Sequence, residues 1–176
     1  MITFKIPRSK TSSEFYQLSI NKPAGEAFHF NELIGKTVLI VNTATKCGLT
    51  PQLKSLEKIH QKHQDQGLII LGFPCNQFMF QEPETNESVE VTCLVKYGVT
   101  FQLTEKIKVN GPNTHPIFKF LKRELPDFWG GSIKWNFTKF LISPSGIPFR
   151  RYKPSTLPEH IEKDIQKLLK RSNLPS

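Results

Sequence analysis

The chain of 176 residues is long enough to bury one sizeable core and leaves little room for a second, so residues 1–176 are expected to form a single domain. Its formal net charge of +9 comes from dispersed basic residues without interleaved aromatic residues, which argues against a dedicated nucleic-acid-binding surface. A positive surface of this kind attracts anionic partners, among them acidic reductase proteins, thiol peptides and phospholipid surfaces, without choosing between them.

The amino terminus contains no apolar run followed by a small-residue cleavage site, which argues against a secretory signal. Residues 1–13 are therefore expected to be a flexible terminus, and the protein is expected to be cytoplasmic. Lys5, Arg8 and Lys10, with no acidic residue among them, leave organelle targeting as the weaker alternative.

The first half of the chain predicts a strand-helix-strand unit. After a short hairpin entry over residues 14–20, the β-branched run Thr37–Thr43 predicts a strand buried on both faces. A helix should begin at Thr50, whose hydroxyl can cap it, with Pro51 at the first helical position. Residues 68–73 then predict a second strand, parallel to the first.

The second half of the chain predicts two helices, a β-hairpin and a terminal helix. Asn86 can cap a helix that runs to Gly98, and a further helix is expected over residues 116–123. Residues 137–143 and 147–152 flank the turn PSG and predict two antiparallel strands. In this order the elements predict an α/β, thioredoxin-like fold with a central mixed β-sheet flanked by helices.

Cys47 lies between the carboxyl end of the first buried strand and the predicted helix start. Ligands bind at that position in parallel α/β sheets, and the helix amino end, together with Lys46, favours a thiolate there. The chain has three cysteines, Cys47, Cys75 and Cys93, and no C-x-x-C pair, which favours thiol chemistry over a disulfide framework. Cys47 is therefore the candidate reactive thiol, and a buried, inert cysteine is the alternative.

Four segments of the sequence resemble the signature segments of the glutathione peroxidase family, in the family's order. They are NTATKCGLT at 42–50, GFPCNQFMFQEP at 72–83, KIKVNG at 106–111 and IKWNFTKFL at 133–141. Cys47 stands where some members carry selenocysteine, and the sequence is most similar to the cysteine-containing, thioredoxin-dependent members. The resemblance implies a thiol peroxidase that reduces hydrogen peroxide and organic or lipid hydroperoxides with neither metal nor cofactor.

Carried over by position, the resemblance implies a catalytic tetrad of Cys47, Gln81, Trp135 and Asn136. A thiolate that attacks one peroxide oxygen needs donors that hold it and that feed a proton to the leaving oxygen. Amide and indole N–H groups are such donors. Without the family, Gln81 would be read as a surface turn residue and Trp135 as a core aromatic residue.

The resemblance also implies a resolving role for Cys93, which would form a disulfide with Cys47 and be reduced by a thioredoxin-like protein. Simple packing of Cys93 inside its helix is the alternative. The sequence separation predicts that Cys47 and Cys93 are not adjacent in the reduced fold, so this helix must partly unwind. Cys75 is expected to be structural.

Other features bear on substrate and assembly. Met79 stands where a glycine usually follows NQF, so either the turn is built differently or Met79 and Phe80 line the mouth of the pocket. The segment between Leu121 and Ile133 is short, where tetrameric, glutathione-using members of the family carry a longer insertion. The resemblance therefore implies a monomer with an open site that admits bulky lipid hydroperoxides. Contact with a membrane surface is left open by the positive charge.

Alternative functions use the same cysteines. A glutathione-dependent peroxidase and a peroxide sensor that relays its disulfide to a partner protein both need Cys47, and no basic cluster is clearly dedicated to glutathione. A cysteine hydrolase that uses Cys47 with His115 and Asn136 is the nearest rival among enzymes.

Overall fold

The computed structural model describes residues 14–128 and 130–172, so the predicted flexible terminus, residues 1–13, lies outside the described residues. In chain order the strands are β1 (Ser19–Asn21), β2 (Ala27–His29), β3 (Thr37–Thr43), β4 (Leu68–Pro74), β5 (Gln102–Leu103), β6 (Lys139–Ile142) and β7 (Pro148–Tyr152). The helices treated below are α1 (Gln52–His63), α2 (Asn86–Tyr97), α3 (Pro116–Glu124) and α4 (Pro158–Ser172).

Five of these strands form one mixed sheet in the order β5-β4-β3-β6-β7, and β1 and β2 form a separate antiparallel hairpin. Strand β3 pairs in parallel with β4, in a register that sets Thr37 beside Leu68 and Thr43 beside Pro74. On its other side β3 pairs with β6 in the antiparallel sense, as β6 does with β7. The predicted α/β fold with a mixed sheet flanked by helices is confirmed.

Strand β3 is the middle strand of the sheet, and neither of its faces is exposed to solvent. All seven are buried, and successive side chains enter opposite layers of the core. Leu39 and Val41 join a cluster that includes residues of α1, α2 and α4, whereas Val38 and Ile40 join a cluster formed with α3 and the amino-terminal hairpin. The sheet therefore fixes the carboxyl end of β3, where the loop with Cys47 begins, between two packed layers.

Two of the predicted helix caps are wrong. Helix α1 begins at Gln52, and the Thr50 hydroxyl contacts the preceding loop instead of the helix amides. Thr85, not Asn86, is the N-cap of α2, and its hydroxyl accepts the Ser88 amide at 3.3 Å. The Asn86 side chain instead accepts a hydrogen bond from the backbone amide of Lys106 at 2.8 Å. A polar side chain at a helix start can bond to a backbone amide from another segment instead of to the helix amides.

The predicted strand over residues 137–143 is shorter in the structure, where β6 spans Lys139–Ile142. Phe137 has a φ of 63°, a left-handed conformation that a strand cannot contain. The chain therefore turns before it enters the sheet, at the point where Trp135 and Asn136 lie. Among the described residues, no helix combines the length and the apolar character needed to cross a membrane.

Candidate active site

The loop that carries Cys47 runs from the end of β3 to the start of α1 and is held by its own hydrogen bonds. The Cys47 amide donates to the Thr50 hydroxyl at 2.9 Å, and that hydroxyl donates to the Ala44 carbonyl at 2.8 Å. The Leu49 amide points at the Cys47 sulfur, with N and Sγ 3.4 Å apart. Cys47 is a free, half-buried thiol, so this turn presents a sulfur that both solvent and a backbone donor can reach.

Gln81 adjoins the Cys47 loop through its backbone and Asn136 through its side chain. The Gln81 carbonyl accepts the amide of Lys46 at 2.9 Å, which fixes the loop next to Gln81. The Asn136 amide nitrogen donates to Gln81 Oε1 at 3.0 Å. Two of the predicted site residues, which are far apart in sequence, are thus in direct contact.

Trp135 and Asn136 are positioned by Asn42, a buried polar residue of β3. The Asn42 amide donates to the Trp135 carbonyl at 3.2 Å, and its Oδ1 accepts the amide of Thr138 at 3.0 Å. Its backbone carbonyl accepts the Phe137 amide at 2.7 Å. Asn42 therefore fixes both ends of this short turn.

The three predicted donors are not bonded to the sulfur in this structure. Within residues 14–128 and 130–172, the hydrogen bond to Cys47 Sγ comes from the Leu49 amide. The Trp135 ring packs against Phe78, with ring centroids 5.8 Å apart. Asn136 is buried, and its Oδ1 has no hydrogen-bond partner among the described residues. The structure thus joins Gln81 and Asn136 by a direct hydrogen bond, and it holds Trp135 through the Asn42 side chain and the Phe78 ring.

Cys93 lies on α2 and is 1% exposed. It belongs to the same apolar cluster against which Cys47 packs, and both thiols are free. Burial, followed by the carboxylates of Glu82, Glu84 and Glu90, raises the pKa of the Cys93 thiol to about 12. Cys93 is therefore held protonated and unreactive while α2 is intact.

Cys75 lies just after β4 and is also buried. Its thiol donates to Gln77 Oε1 at 3.6 Å. Burial raises the pKa of the Cys75 thiol, so the environment of this cysteine is suited to packing and not to nucleophilic attack.

Sequence reasoning missed Glu82, which is fully buried beside the site. Its Oε1 accepts the Thr45 hydroxyl at 2.7 Å and the Glu84 amide at 3.3 Å, while its Oε2 has no hydrogen-bond partner among the described residues. Burial raises the pKa of the Glu82 carboxyl above its ordinary value, partly offset by the bond from Thr45. Glu82 thus connects the loop that carries Cys47 with the segment that leads into α2.

His115, the partner expected for a cysteine hydrolase, has another role. It is the N-cap of α3, and its Nδ1 accepts the amide of Ile117 at 3.3 Å. No hydrogen bond joins His115 to Cys47 or Asn136 within the described part of the chain. The hydrolase alternative therefore lacks its general base.

A mixed α/β sheet with a free, accessible cysteine at the carboxyl end of its central strand defines a thiol-dependent oxidoreductase with a thioredoxin-like fold. The family model described as glutathione peroxidase matches residues 15–122, which is more than half of the chain. The chain belongs to the glutathione peroxidase family and is a peroxidase, as the four signature segments predict.

Individual relatives agree with this assignment over almost their whole length. The chain is 50% identical to a glutathione peroxidase of Lactococcus lactis over 155 residues, which cover 88% of this chain and 99% of the relative. It is 49% identical to a glutathione peroxidase-like peroxiredoxin of Schizosaccharomyces pombe, with 89% and 99% covered. A hydroperoxy fatty acid reductase of Synechocystis is 44% identical, with 92% and 99% covered.

A solved structure gives the same result. The crystal structure of T. cruzi GPX1 superimposes with a TM-score of 0.73 at 34% sequence identity, and the match covers 89% of this chain and 96% of that one. The likeness in fold therefore accompanies a likeness in sequence.

Proposed function

We propose that Cys47 is the peroxidatic cysteine and that the protein reduces hydroperoxides through its sulfenic acid. The Cys47 thiolate attacks one peroxide oxygen, the O–O bond breaks, and a proton joins the leaving oxygen to give water or an alcohol. The observation that carries this proposal is the half-buried Cys47 sulfur at the end of β3, with the Leu49 amide directed at it. Neither Cys75 nor Cys93 combines a free thiol with such access.

We infer that Gln81, Trp135 and Asn136 bind the peroxide and direct a proton to the leaving oxygen. All three offer N–H groups and none is a strong base, so they act as donors that stabilise developing negative charge. The contact of Asn136 with Gln81, and the hold of Asn42 on Trp135, support a preformed site. The proton itself comes from the thiol of Cys47 or from water.

Cys93 is proposed to resolve the sulfenic acid. Its thiol attacks the Cys47 sulfur, the S–O bond breaks, and the thiol proton leaves with the hydroxyl as water, so that a Cys47-Cys93 disulfide forms. Burial of Cys93 requires α2 to open first. Opening is supported by the shallow attachment of α2, in which only Val89 and Cys93 are buried among twelve helical residues.

The proposed reductant of this disulfide is a thioredoxin-like protein, with glutathione as the alternative. A dithiol protein supplies the two electrons that return Cys47 and Cys93 to thiols. Organic and lipid hydroperoxides are proposed as substrates besides hydrogen peroxide, since a relative that covers nearly the whole chain is named a hydroperoxy fatty acid reductase. We further propose that the protein is monomeric and cytoplasmic and that it acts in defence against oxidative stress.

The test is rapid mixing with peroxide, with sulfenic acid trapped by dimedone and disulfide read on non-reducing gels. Cys93→Ser is expected to accumulate trapped Cys47 sulfenic acid, whereas Cys47→Ser should neither trap dimedone nor consume peroxide rapidly. Cys75→Ser is the matched control and should behave as wild type. Consumption of peroxide by Cys47→Ser at the wild-type rate would exclude the proposed chemistry.

A peroxide sensor that passes its disulfide to a partner protein uses the same two cysteines. Steady-state turnover with thioredoxin separates the two functions, because a scavenger is recycled many times and a sensor transfers its oxidation to another protein. Stable mixed disulfides with another protein, trapped by Cys93→Ser in the absence of thioredoxin turnover, would favour the sensor.

A further inference from the structure

The segment just before Gln81 exposes two large apolar side chains. Met79 is 74% exposed and Phe80 is 81% exposed. Both residues have a positive φ, 53° for Met79 and 54° for Phe80, a left-handed conformation that is costly for such side chains. The turn thus has a left-handed backbone of the kind that glycine adopts freely, and neither side chain offsets the cost by burial in the core. Exposed apolar groups at the tip of a strained turn indicate a contact with something outside the chain.

The surface beside Phe80 is basic. A cavity of about 540 Å³ is lined by Asn76, Gln77, Phe80, Lys106, Ile107 and Lys108. The lining contains two lysines and no carboxylate, and Lys108 is exposed. Lys106 already donates to the Glu82 carbonyl at 2.9 Å, which leaves its charge in place at the cavity. Apolar groups flanked by cations are complementary to an anionic phospholipid surface.

A second exposed apolar patch, on α2, has the opposite electrostatic character. Val91, Leu94 and Val95 are 60%, 53% and 77% exposed. The same helix carries Glu87 and Glu90 on its exposed surface, and these carboxylates repel an anionic bilayer. The two patches can therefore be told apart by the charge of the surface that binds them.

We infer that Met79 and Phe80 insert into the surface of an anionic phospholipid bilayer while Lys106 and Lys108 contact its headgroups. Apolar insertion and cationic attraction act together, as stable attachment to a membrane surface requires two such signals. Because Gln81 follows Phe80 directly, attachment brings the Cys47 site to the bilayer surface. The benefit for lipid hydroperoxides rests on the proposed function, but the binding itself does not.

Co-sedimentation with vesicles tests the inference, with vesicles of phosphatidylcholine plus phosphatidylserine set against vesicles of phosphatidylcholine alone. Wild type is expected to bind the anionic vesicles and to be released by high salt. The double variant Met79→Asn/Phe80→Asn should lose about tenfold or more in binding, since two apolar side chains no longer leave water. Asparagine tolerates the left-handed conformation, so this variant should remain folded, which thermal unfolding checks.

Val95→Asn is the matched control, because it removes an equally exposed apolar side chain from the acidic patch. It should bind anionic vesicles as wild type does, whereas Lys108→Gln should weaken that binding. The inference would be overturned if wild type bound neither kind of vesicle. It would also be overturned if the Met79→Asn/Phe80→Asn variant bound anionic vesicles as wild type does. Loss of thioredoxin binding by that double variant, with vesicle binding intact, would overturn it too and would assign the turn to the reductant.

Discussion

The backbone amide of Cys47 donates to the hydroxyl of Thr50, with N and Oγ1 2.9 Å apart. The same hydroxyl donates to the Ala44 carbonyl at 2.8 Å, so one side chain spans the turn that presents the sulfur. The Thr50 hydroxyl, which the sequence predicts as the helix cap, thus makes its hydrogen bonds within the loop instead. The shape of the turn, and with it the direction of the Cys47 side chain, depends on Thr50.

Replacement of Thr50 by valine keeps the shape of the side chain and removes both hydrogen bonds. We expect the free energy of unfolding to fall by about 1–3 kcal/mol, because the Ala44 carbonyl and the Cys47 amide lose their partner. Peroxide reduction should slow by roughly tenfold or more as the sulfur loses its fixed position. Urea unfolding and stopped-flow peroxide consumption measure the two effects. Thr50→Ser is the control and should restore both, and a Thr50→Val variant as fast as Thr50→Ser would contradict the role.

Asn42 is the second residue on which the site geometry depends. Asn42→Leu leaves the Thr138 amide without its acceptor, at a cost of about 1–3 kcal/mol, and leaves the Trp135 carbonyl with the Thr138 hydroxyl as its donor. Because Trp135 and Asn136 then lose their anchor, peroxide reduction should fall together with stability. Leu39→Met in the same strand is the control, since a volume-conserving apolar change costs less than about 1.5 kcal/mol. Equal activity in both variants would show that the turn does not need Asn42.

Much of the fold could be predicted because the decisive patterns are local. The β-branched run Thr37–Thr43 and the apolar run after it specify two buried strands, and the helix between them specifies their parallel sense. The position of Cys47 follows from that unit alone. Gln81, Trp135 and Asn136 come from the family pattern, because an amide in a turn and an indole near a strand carry no local sign of catalysis.

The remaining residues of the site escaped prediction because their partners are distant in sequence. Asn42 could have been noticed, because an amide side chain in a buried strand needs hydrogen-bond partners. The sequence does not identify those partners, which are 93 and 96 residues away. Glu82, between Gln81 and Pro83, lies in a polar stretch typical of a surface loop, and only the tertiary fold buries it. For Thr50, the sequence alone does not decide between a bond to the helix amides and a bond to the loop.

Cys93 should react with alkylating reagents far more slowly than Cys47 in the reduced protein. Burial, with nearby carboxylates, raises its pKa from 9.0 to about 12, so between those values the opened form loses a proton that the closed form keeps. Between about pH 9 and pH 12, the equilibrium constant for opening of α2 should therefore rise by up to about tenfold per pH unit. Iodoacetamide labelling followed by peptide mass spectrometry measures this.

The control for this prediction is Cys75, whose burial also raises its pKa but which lies outside α2. Its labelling should not follow that of Cys93 when α2 is loosened by Val89→Ala, a change that removes one of the two buried contacts of the helix. Labelling of Cys93 in the intact protein at the rate of Cys47 at neutral pH would contradict a closed α2.

Glu82 should make stability fall as pH rises. Its folded pKa is raised above the ordinary 4.5, so from about pH 4.5 upward the unfolded chain releases this proton before the folded chain does, which lowers the free energy of unfolding. Glu84 and Glu162 have lowered pKa values and act in the opposite direction, so the difference between wild type and Glu82→Gln isolates the Glu82 effect. Glutamine keeps an oxygen that can accept the Thr45 hydroxyl, so Glu82→Gln should gain stability relative to wild type as pH rises.

Urea unfolding over a pH series measures this difference. We expect the curve of Glu82→Gln to diverge from that of wild type above about pH 4.5. Glu82→Ala should be about 1–3 kcal/mol less stable than Glu82→Gln across the pH series, because the Thr45 hydroxyl and the Glu84 amide lose their acceptor. If the Glu82→Gln curve stayed parallel to wild type, the buried carboxyl would not be the group that links pH to the stability of the site.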